Sequence, residues 1–266
     1  MFKAELKNTK QIKDIIGVVN NIGRYVNIRL TKDHIYLQIF NNTLIEIILI
    51  NLGNELFKYI SSDNAYNLLS DLEPINKILN TINNEEKIII EYKDNDSFIL
   101  LRHNNERIKM YSEFKINLRL NNTLLYQVPS DNVYKIFVCM PSKKLYDIVS
   151  KLYKLEDLIF IEVMKNVIIF KVINKEYDIS YKFESNYAPF KNEQNLIENH
   201  YDILFPITAD TLELISKSYI IYPSVIICLA LHEPIQFIYE IPGDIKSYIK
   251  FYITEDSDLL SQSSEN

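Results

Sequence analysis

Residues 11–39, QIKDIIGVVNNIGRYVNIRLTKDHIYLQI, return in altered letters at residues 144–172 as KLYDIVSKLYKLEDLIFIEVMKNVIIFKV. Asp14 stands against Asp147, Ile15 against Ile148, Ile28 against Ile161 and Lys32 against Lys165, each pair half the 266-residue chain apart. A supersecondary unit written twice has to bury the same apolar stripe twice, so the chain reads as two domains of one architecture. Length agrees, since one domain per ~150 residues gives about two. Each half is long enough to bury roughly two-thirds of its surface.

The pattern inside each copy is mixed α and β. Phe2, Ala4 and Leu6 alternate with Lys3, Glu5 and Lys7, the period of two of a strand with one buried face. From Thr9, read as a cap, Ile12, Ile15, Ile16, Val19 and Ile22 fall at helical spacing over 9–22. Residues 25–30 and 35–40 form a hairpin across TKDH, and 44–52 a further strand. After a polar interval a short helix is expected over 72–82, with Pro74 in its first turn, followed by strands in KIIIEY, SFILLRH and IKMYSEFKINL. The second half repeats the order. A strand over 134–140 precedes a helix over 142–154 capped by Ser142, a hairpin over 158–172 and a strand over 177–184. A helix near 209–218 and strands at 224–231, 235–241 and the terminal YIKFYI complete it. The domain boundaries that follow are 1–118, a linker over 119–133, 134–254, and an acidic, Ser-rich tail over 255–266 expected to be disordered.

Several function classes are argued against. Four scattered glycines assemble neither a dinucleotide fingerprint nor a phosphate loop. The four histidines have no metal spacing with Cys139 and Cys228 and read as surface or turn residues, while both cysteines sit in apolar runs and read as free buried thiols of a reducing compartment. No apolar run approaches the ~20 residues a membrane helix needs. No catalytic residues, cofactor or metal site are therefore expected, and no membrane partner. The net charge of −6 is unevenly placed. The four expected helices carry Lys10, Lys13, Lys77, Lys143, Lys144, Lys151, Lys154 and Lys217 against Asp14, Glu73, Asp147, Asp210 and Glu213, so they are net positive and the remainder is net negative.

The opening MFKAEL, LQIF at 37–40, KIL at 77–79, Val128-Pro129, MPS at 140–142, Glu233-Pro234 and IKFYI at 249–253 occur in an order and spacing that resembles the proliferating cell nuclear antigen family over about 250 residues. The resemblance implies an α+β DNA-clamp fold, two similar domains per chain in a head-to-tail homotrimeric ring whose helices line a central channel around double-stranded DNA. It implies a processivity factor in DNA replication and repair, not an enzyme. Implied partners are DNA polymerase, other proteins bearing a clamp-binding motif, and a clamp loader. The implied location is the nucleus, or a viral replication site if the chain is viral.

Residue by residue, the resemblance implies a DNA channel of Lys10, Lys13, Lys77, Lys151, Lys154 and Lys217, making weak, salt-sensitive phosphate contacts. It implies a client pocket under the linker at Phe40, Leu44, Ile45, Leu125, Tyr126, Val128, Pro129, Pro234 and Tyr252, a helix-in-groove mode. It implies a subunit joint in which strand 108–118, with Phe114 and Ile116, pairs with strand 177–184, with Ile179 and Tyr181. The chain departs from the family pattern in ways that bear on function. Asp14, Asn20, Asn80, Asp147, Ser150 and Asp210 stand where basic residues are usual, Leu44 replaces a polar ring, and TED at 254–256 replaces Ala-Pro-Lys. These leave open a divergent checkpoint-type or viral paralogue that is heteromeric or monomeric, and a plain interaction protein with no DNA at its centre.

Overall fold

A computed structural model describes residues 1–40, 46–105, 109–119, 126–164, 167–184, 203–240 and 247–254. The chain divides into two compact units, Met1–Gln127 with Glu240–Ile249, and Val128–Tyr239 with Lys250–Asn266. The first contains β1 (Phe2–Leu6), α1 (Thr9–Val19), β2 (Tyr25–Leu30), β3 (His34–Phe40), β4 (Glu46–Gly53), β5 (Phe57–Ser62), β6 (Tyr66–Asp71), α2 (Leu72–Thr81), β7 (Lys87–Tyr92), β8 (Phe98–Asn105) and β9 (Met110–Asn117). Its strands run in the orders β5-β1-β7-β8-β9 and β4-β3-β2-β6. The second contains β10 (Ile136–Pro141), α3 (Ser142–Leu152), β11 (Leu158–Met164), β12 (Val167–Ile173), β13 (Asp178–Glu184), β14 (Ile203–Thr208), α4 (Ala209–Ser216), β15 (Ser224–Leu229), and the bulk of β16 (Ile235–Glu240) and β17 (Tyr248–Ile253). Its orders are β10-β15-β16-β17 and β13-β12-β11-β14.

These are the same topology twice. Replacing β1, β7, β8 and β9 by β10, β15, β16 and β17, and β4, β3, β2 and β6 by β13, β12, β11 and β14, converts one unit into the other; among the described residues β5 alone is added. The α+β clamp architecture is thus present. Each core follows from the repeated periodicity. On α1 Thr9, Ile12, Ile15, Ile16 and Val19 are buried, and on α3 the stripe is Ser142, Leu145, Val149 and Leu152. Strands supply the facing layer at alternate positions, such as Phe2, Ala4 and Leu6 of β1 and Ile159, Ile161 and Val163 of β11.

The structure departs from the sequence reading in instructive places. The cap of α1 is Asn8, whose side chain accepts from the Gln11 N–H at 3.3 Å. Thr9 is buried, and its hydroxyl donates to the Glu86 carbonyl at 2.5 Å. Ser142 is likewise no cap; it follows Pro141 and donates to the Tyr222 carbonyl. The polar interval after β4 contains two strands, β5 and β6, and β14 precedes α4. Among the described residues all three are outermost strands paired on one side only, so their open positions do not need the apolar alternation that marks an interior strand.

His103 is not a surface residue. It is 4% exposed, and its Nε2 meets the Glu86 carboxylate, which also accepts from the Asn83 backbone N–H at 2.8 Å and side-chain amide at 3.0 Å, and from the Asn105 amide. Burial alone would raise the Glu86 carboxyl. The Asn83, Asn105 and His103 hydrogen bonds outweigh it and hold the group at about 2. Cys139 is half-buried and Cys228 buried.

Candidate functional site

Unit 1 pairs α1 with α2 and unit 2 pairs α3 with α4. Because each helix buries one stripe, the basic residues are forced to the opposite face. What they do there differs from residue to residue. Lys10 and Lys154 are exposed and have no ion-pair partner among the described residues. Lys77 pairs with Glu73 at 2.5 Å and Lys217 with Glu213 at 2.6 Å, both one turn apart on their own helices. Lys143 pairs with Asp147 at 3.1 Å in the same manner. Such i,i+4 pairs on a solvated face contribute little to stability, and they are readable from spacing alone. They lower the free positive charge of the helix faces below a bare count of lysines.

Lys151 lies 5.3 Å over the ring of Tyr181. Lys13, an expected channel residue, is half-buried, its ammonium donating to the Ile82 carbonyl at 2.7 Å. Ile82 is the C-cap of α2, so Lys13 neutralises the negative end of that helix dipole.

Two aromatic features went unread in the sequence. On unit 2 the rings of Tyr146 and Tyr219 lie 4.3 Å apart, and the Lys143 ammonium sits over both, at 4.5 and 4.4 Å. The signal was a tyrosine three residues after a lysine on the exposed stripe of an amphipathic helix. On unit 1 the Tyr25 ring is flanked by the guanidiniums of Arg24, at 5.3 Å, and Arg119, at 4.8 Å. Arg119 also grips Asp71 with two hydrogen bonds of 3.0 and 2.9 Å. The backbone that delivers Tyr25 there passes so close to β3 that a Cβ on Gly23 would collide with the Ile39 side chain.

Of the expected pocket residues, the structure brings Phe40 and Tyr126 together in unit 1, edge to face at 4.8 Å, with Tyr25 continuing the row at 5.8 Å from Phe40. The buried Gln38 amide explains why. It donates to the Tyr126 carbonyl at 2.7 Å and accepts from the Tyr126 N–H at 2.9 Å, fixing the start of the linker on β3 as another strand would. In unit 2, Val128, Pro129 and Pro234 are half-buried, and Tyr134 donates to the Pro234 carbonyl at 3.0 Å. Asp131 receives Lys250 at 2.8 and 2.7 Å and Gln236 at 3.3 Å. Burial would raise the Asp131 carboxyl, but these partners hold it below its ordinary value. Tyr252, expected on the pocket floor, is buried at 4% exposure with its hydroxyl accepting from Gln236 at 2.8 Å, so it supports the surface from beneath. Leu44, Ile45 and Leu125 lie outside the described residues.

The expected joint strands are both outermost in their sheets, β9 beyond β8 and β13 beyond β12, with no strand on the outer side among the described residues. On β9 Phe114 is half-buried, whereas Ile116, at 3% exposure, is spent on the core of its own unit and is not a surface residue. On β13 Ile179, Tyr181 and Phe183 are half-buried and alternate with exposed Asp178, Ser180, Lys182 and Glu184.

Comparison with known proteins bears on this arrangement. Residues 1–123 match the model of the proliferating cell nuclear antigen N-terminal domain. The chain is 24% identical over 259 residues to the proliferating cell nuclear antigen of Dictyostelium discoideum, an alignment covering 95% of this chain and 98% of that protein. It is 21% identical over 267 residues to proliferating cell nuclear antigen 1 of Plasmodium falciparum, covering 97% of each. It is 26% identical over 173 residues to the proliferating cell nuclear antigen of Saccharomyces cerevisiae, covering 64% of this chain and 66% of that protein.

Proposed function

We propose that this chain is a divergent member of the proliferating cell nuclear antigen family and a sliding clamp, a processivity factor that encircles duplex DNA and tethers a polymerase to it. The observation that carries this reading is the topology written twice in a chain that is similar to those relatives along nearly its whole length, with each copy exposing an open outer strand. An open ladder edge has to be paired, blunted or covered. A head-to-tail pairing of β9 of one protomer with β13 of the next covers both, and when such a heterologous contact closes by rotation it makes a ring. Three protomers of two units each complete the ring.

In this reading Lys10, Lys13, Lys77, Lys151, Lys154 and Lys217 face the DNA. The internal pairing of Lys77 and Lys217 suits the task, since topology retains the duplex and strong phosphate binding would impede sliding. In unit 1 Phe40 and Tyr126, held by Gln38, and in unit 2 Val128, Pro129 and Pro234, supported by Tyr252, are the residues offered to a client peptide carrying apolar and aromatic anchors. Phe114, Ile179 and Tyr181 meet across the joint. The chain works by encirclement and tethering, not by catalysis, in the nucleus, and is placed on DNA by a clamp loader.

The test pairs oligomeric state with activity. Light scattering behind size exclusion should give roughly three times the chain mass of 31.4 kDa. Phe114→Arg should give a monomer, because it puts an unpaired charge into a buried joint. The wild-type ring, loaded onto primed circular template, should lengthen the products of a clamp-dependent polymerase, and the monomer should not. A wild-type monomer at tens of micromolar that leaves product length unchanged would sink the reading.

A further inference from the structure

We infer that the exposed face of α3 and the segment following α4 form a stacking platform for unpaired nucleic-acid bases, a contact distinct from phosphate binding to duplex and resting on the reading that this face meets DNA. The outward side of α3 and the turn after it carries cations and rings: Lys143 and the half-buried Tyr146 on the helix, then the exposed Tyr153 and Lys154 just past its end. Lys144 and Lys151 flank it, Asp147 lies within it paired to Lys143, and Asp210 and Glu213 of α4 border it. Tyr219 packs against Tyr146, Tyr153 is 43% exposed, and Ile220, at 63%, extends the apolar surface. The Tyr153 hydroxyl is tied to Asp210, which raises its pKa and anchors the ring across the two helices.

Two observations separate this from ordinary helix packing. First, unit 1 closes the matching junction without rings: counted from the helix starts, Tyr146 corresponds to Lys13 and Tyr219 to Ile82, and there a lysine-to-carbonyl bond suffices. The rings are therefore not demanded by the fold. Second, the patch is cationic and aromatic at once. The outer surface of a duplex offers phosphates and sugars, which the lysines satisfy alone. Only an unpaired strand offers a negative backbone together with open π faces, and every base has one, so the platform has no need to read sequence. Lys143, already seated over both rings, brings a phosphate contact to the point where a base would stack.

The experiment measures binding of the full-length protein, by fluorescence anisotropy at low salt, to three labelled probes of equal length: oligo-dT, the same backbone without bases, and a duplex. Wild type should bind oligo-dT about tenfold more tightly than the abasic strand, since base–aromatic stacking is a sequence-tolerant contribution of that size. Combining Tyr146→Leu with Tyr219→Leu should erase that ratio and leave abasic and duplex binding in place, while Tyr146→Phe with Tyr219→Phe should retain it. Equal wild-type affinity for oligo-dT and the abasic strand overturns the platform without any variant, and leaves the clamp reading intact if the duplex binds in a salt-dependent way. A ratio that survives both leucine substitutions also overturns it. Failure of all three probes to bind removes the platform and the DNA-facing assignment together.

Discussion

The two helix pairs are built on one plan beneath the surface and on two plans above it. Below, Thr9 at the start of α1 donates to the carbonyl of Glu86, and Ser142, in the matching position on α3, donates to the carbonyl of Tyr222. Above, the junction held by Lys13 and the Ile82 carbonyl in one unit is held by the Tyr146 and Tyr219 rings in the other. The difference shows where a duplicated fold is free to change. A carbonyl stranded after the second helix has to be satisfied by something small and buried, which leaves hydroxyls as the economical answer. A contact at the rim can be an ammonium or a ring, because water completes whatever the partner omits.

The sharpest way to break this comparison lies in the shared core. Ile12 of α1 and Leu145 of α3 occupy matching positions at 7% and 0% exposure. Truncating either to alanine should cost about 2–5 kcal/mol, with Leu145→Ala toward the upper end. Urea unfolding followed by native-state hydrogen exchange checks it: Ile12→Ala should lower protection in unit 1 and Leu145→Ala in unit 2. Equal loss of protection in both units from either change would show the cores to be one cooperative whole.

The buried hydroxyls come next. Thr9→Val and Ser142→Ala each leave a buried carbonyl without its donor, and each should cost about 1–3 kcal/mol. If the plan is common, the two losses agree within about 1 kcal/mol. A neutral Thr9→Val would mean that the Glu86 carbonyl has another donor.

The two clasps differ in what stands behind them, and pH exposes it. Unit 1 places a carboxylate there, Glu86, held at about 2 against an ordinary 4.5. Unit 2 places Tyr222, a buried phenol raised above its ordinary value by burial, whose hydroxyl has no hydrogen-bond partner among the described residues. A depressed carboxyl contributes stability that is complete above its unfolded value and is lost as the folded group protonates. Unit 1 should therefore lose stability as pH falls from about 4.5 toward 2, and Glu86→Gln should remove that dependence, as read from hydrogen exchange of β8 in acid. A wild-type profile that is flat over this window would show the Asn83–Glu86–His103 cluster to be indifferent to charge.

How far the sequence carried can be judged from these same residues. The interval between the repeats, the apolar stripes and the strand–helix–hairpin order were all legible, because burial imposes a period that letters record. The doubled topology follows from them. What periodicity does not record is partnership. His103 looked like a turn residue because a buried histidine is intelligible only beside Glu86 and Asn105, which arrive from elsewhere in the chain. Ile116 and Tyr252 were assigned to surfaces and lie beneath them, because alternation tells which residues share a face but not which face is covered. Thr9 and Ser142 fit the composition of caps, while their real partners sit at residues 86 and 222.

The smallest expected effect separates the two roles of Lys13. Its ammonium is half-buried on the carbonyl that ends α2, a cation at a helix C-terminus, and such contacts contribute about 0.3–1 kcal/mol. Lys13→Met keeps much of the aliphatic packing and should cost no more than that, whereas Lys10→Met, on an exposed side chain, should leave stability unchanged. The order should reverse for DNA. Lys10 is free to meet a phosphate and Lys13 is already engaged, so Lys10→Met should flatten the dependence of duplex binding on salt by up to about one ion, and Lys13→Met by less. Thermal melts and salt titrations of the two variants, run side by side, check both halves. If Lys13→Met flattens the salt dependence as much as Lys10→Met does and leaves the melting temperature where it was, then the bond to Ile82 yields to DNA on binding. The rim of unit 1 would then be as adaptable as the aromatic rim of unit 2.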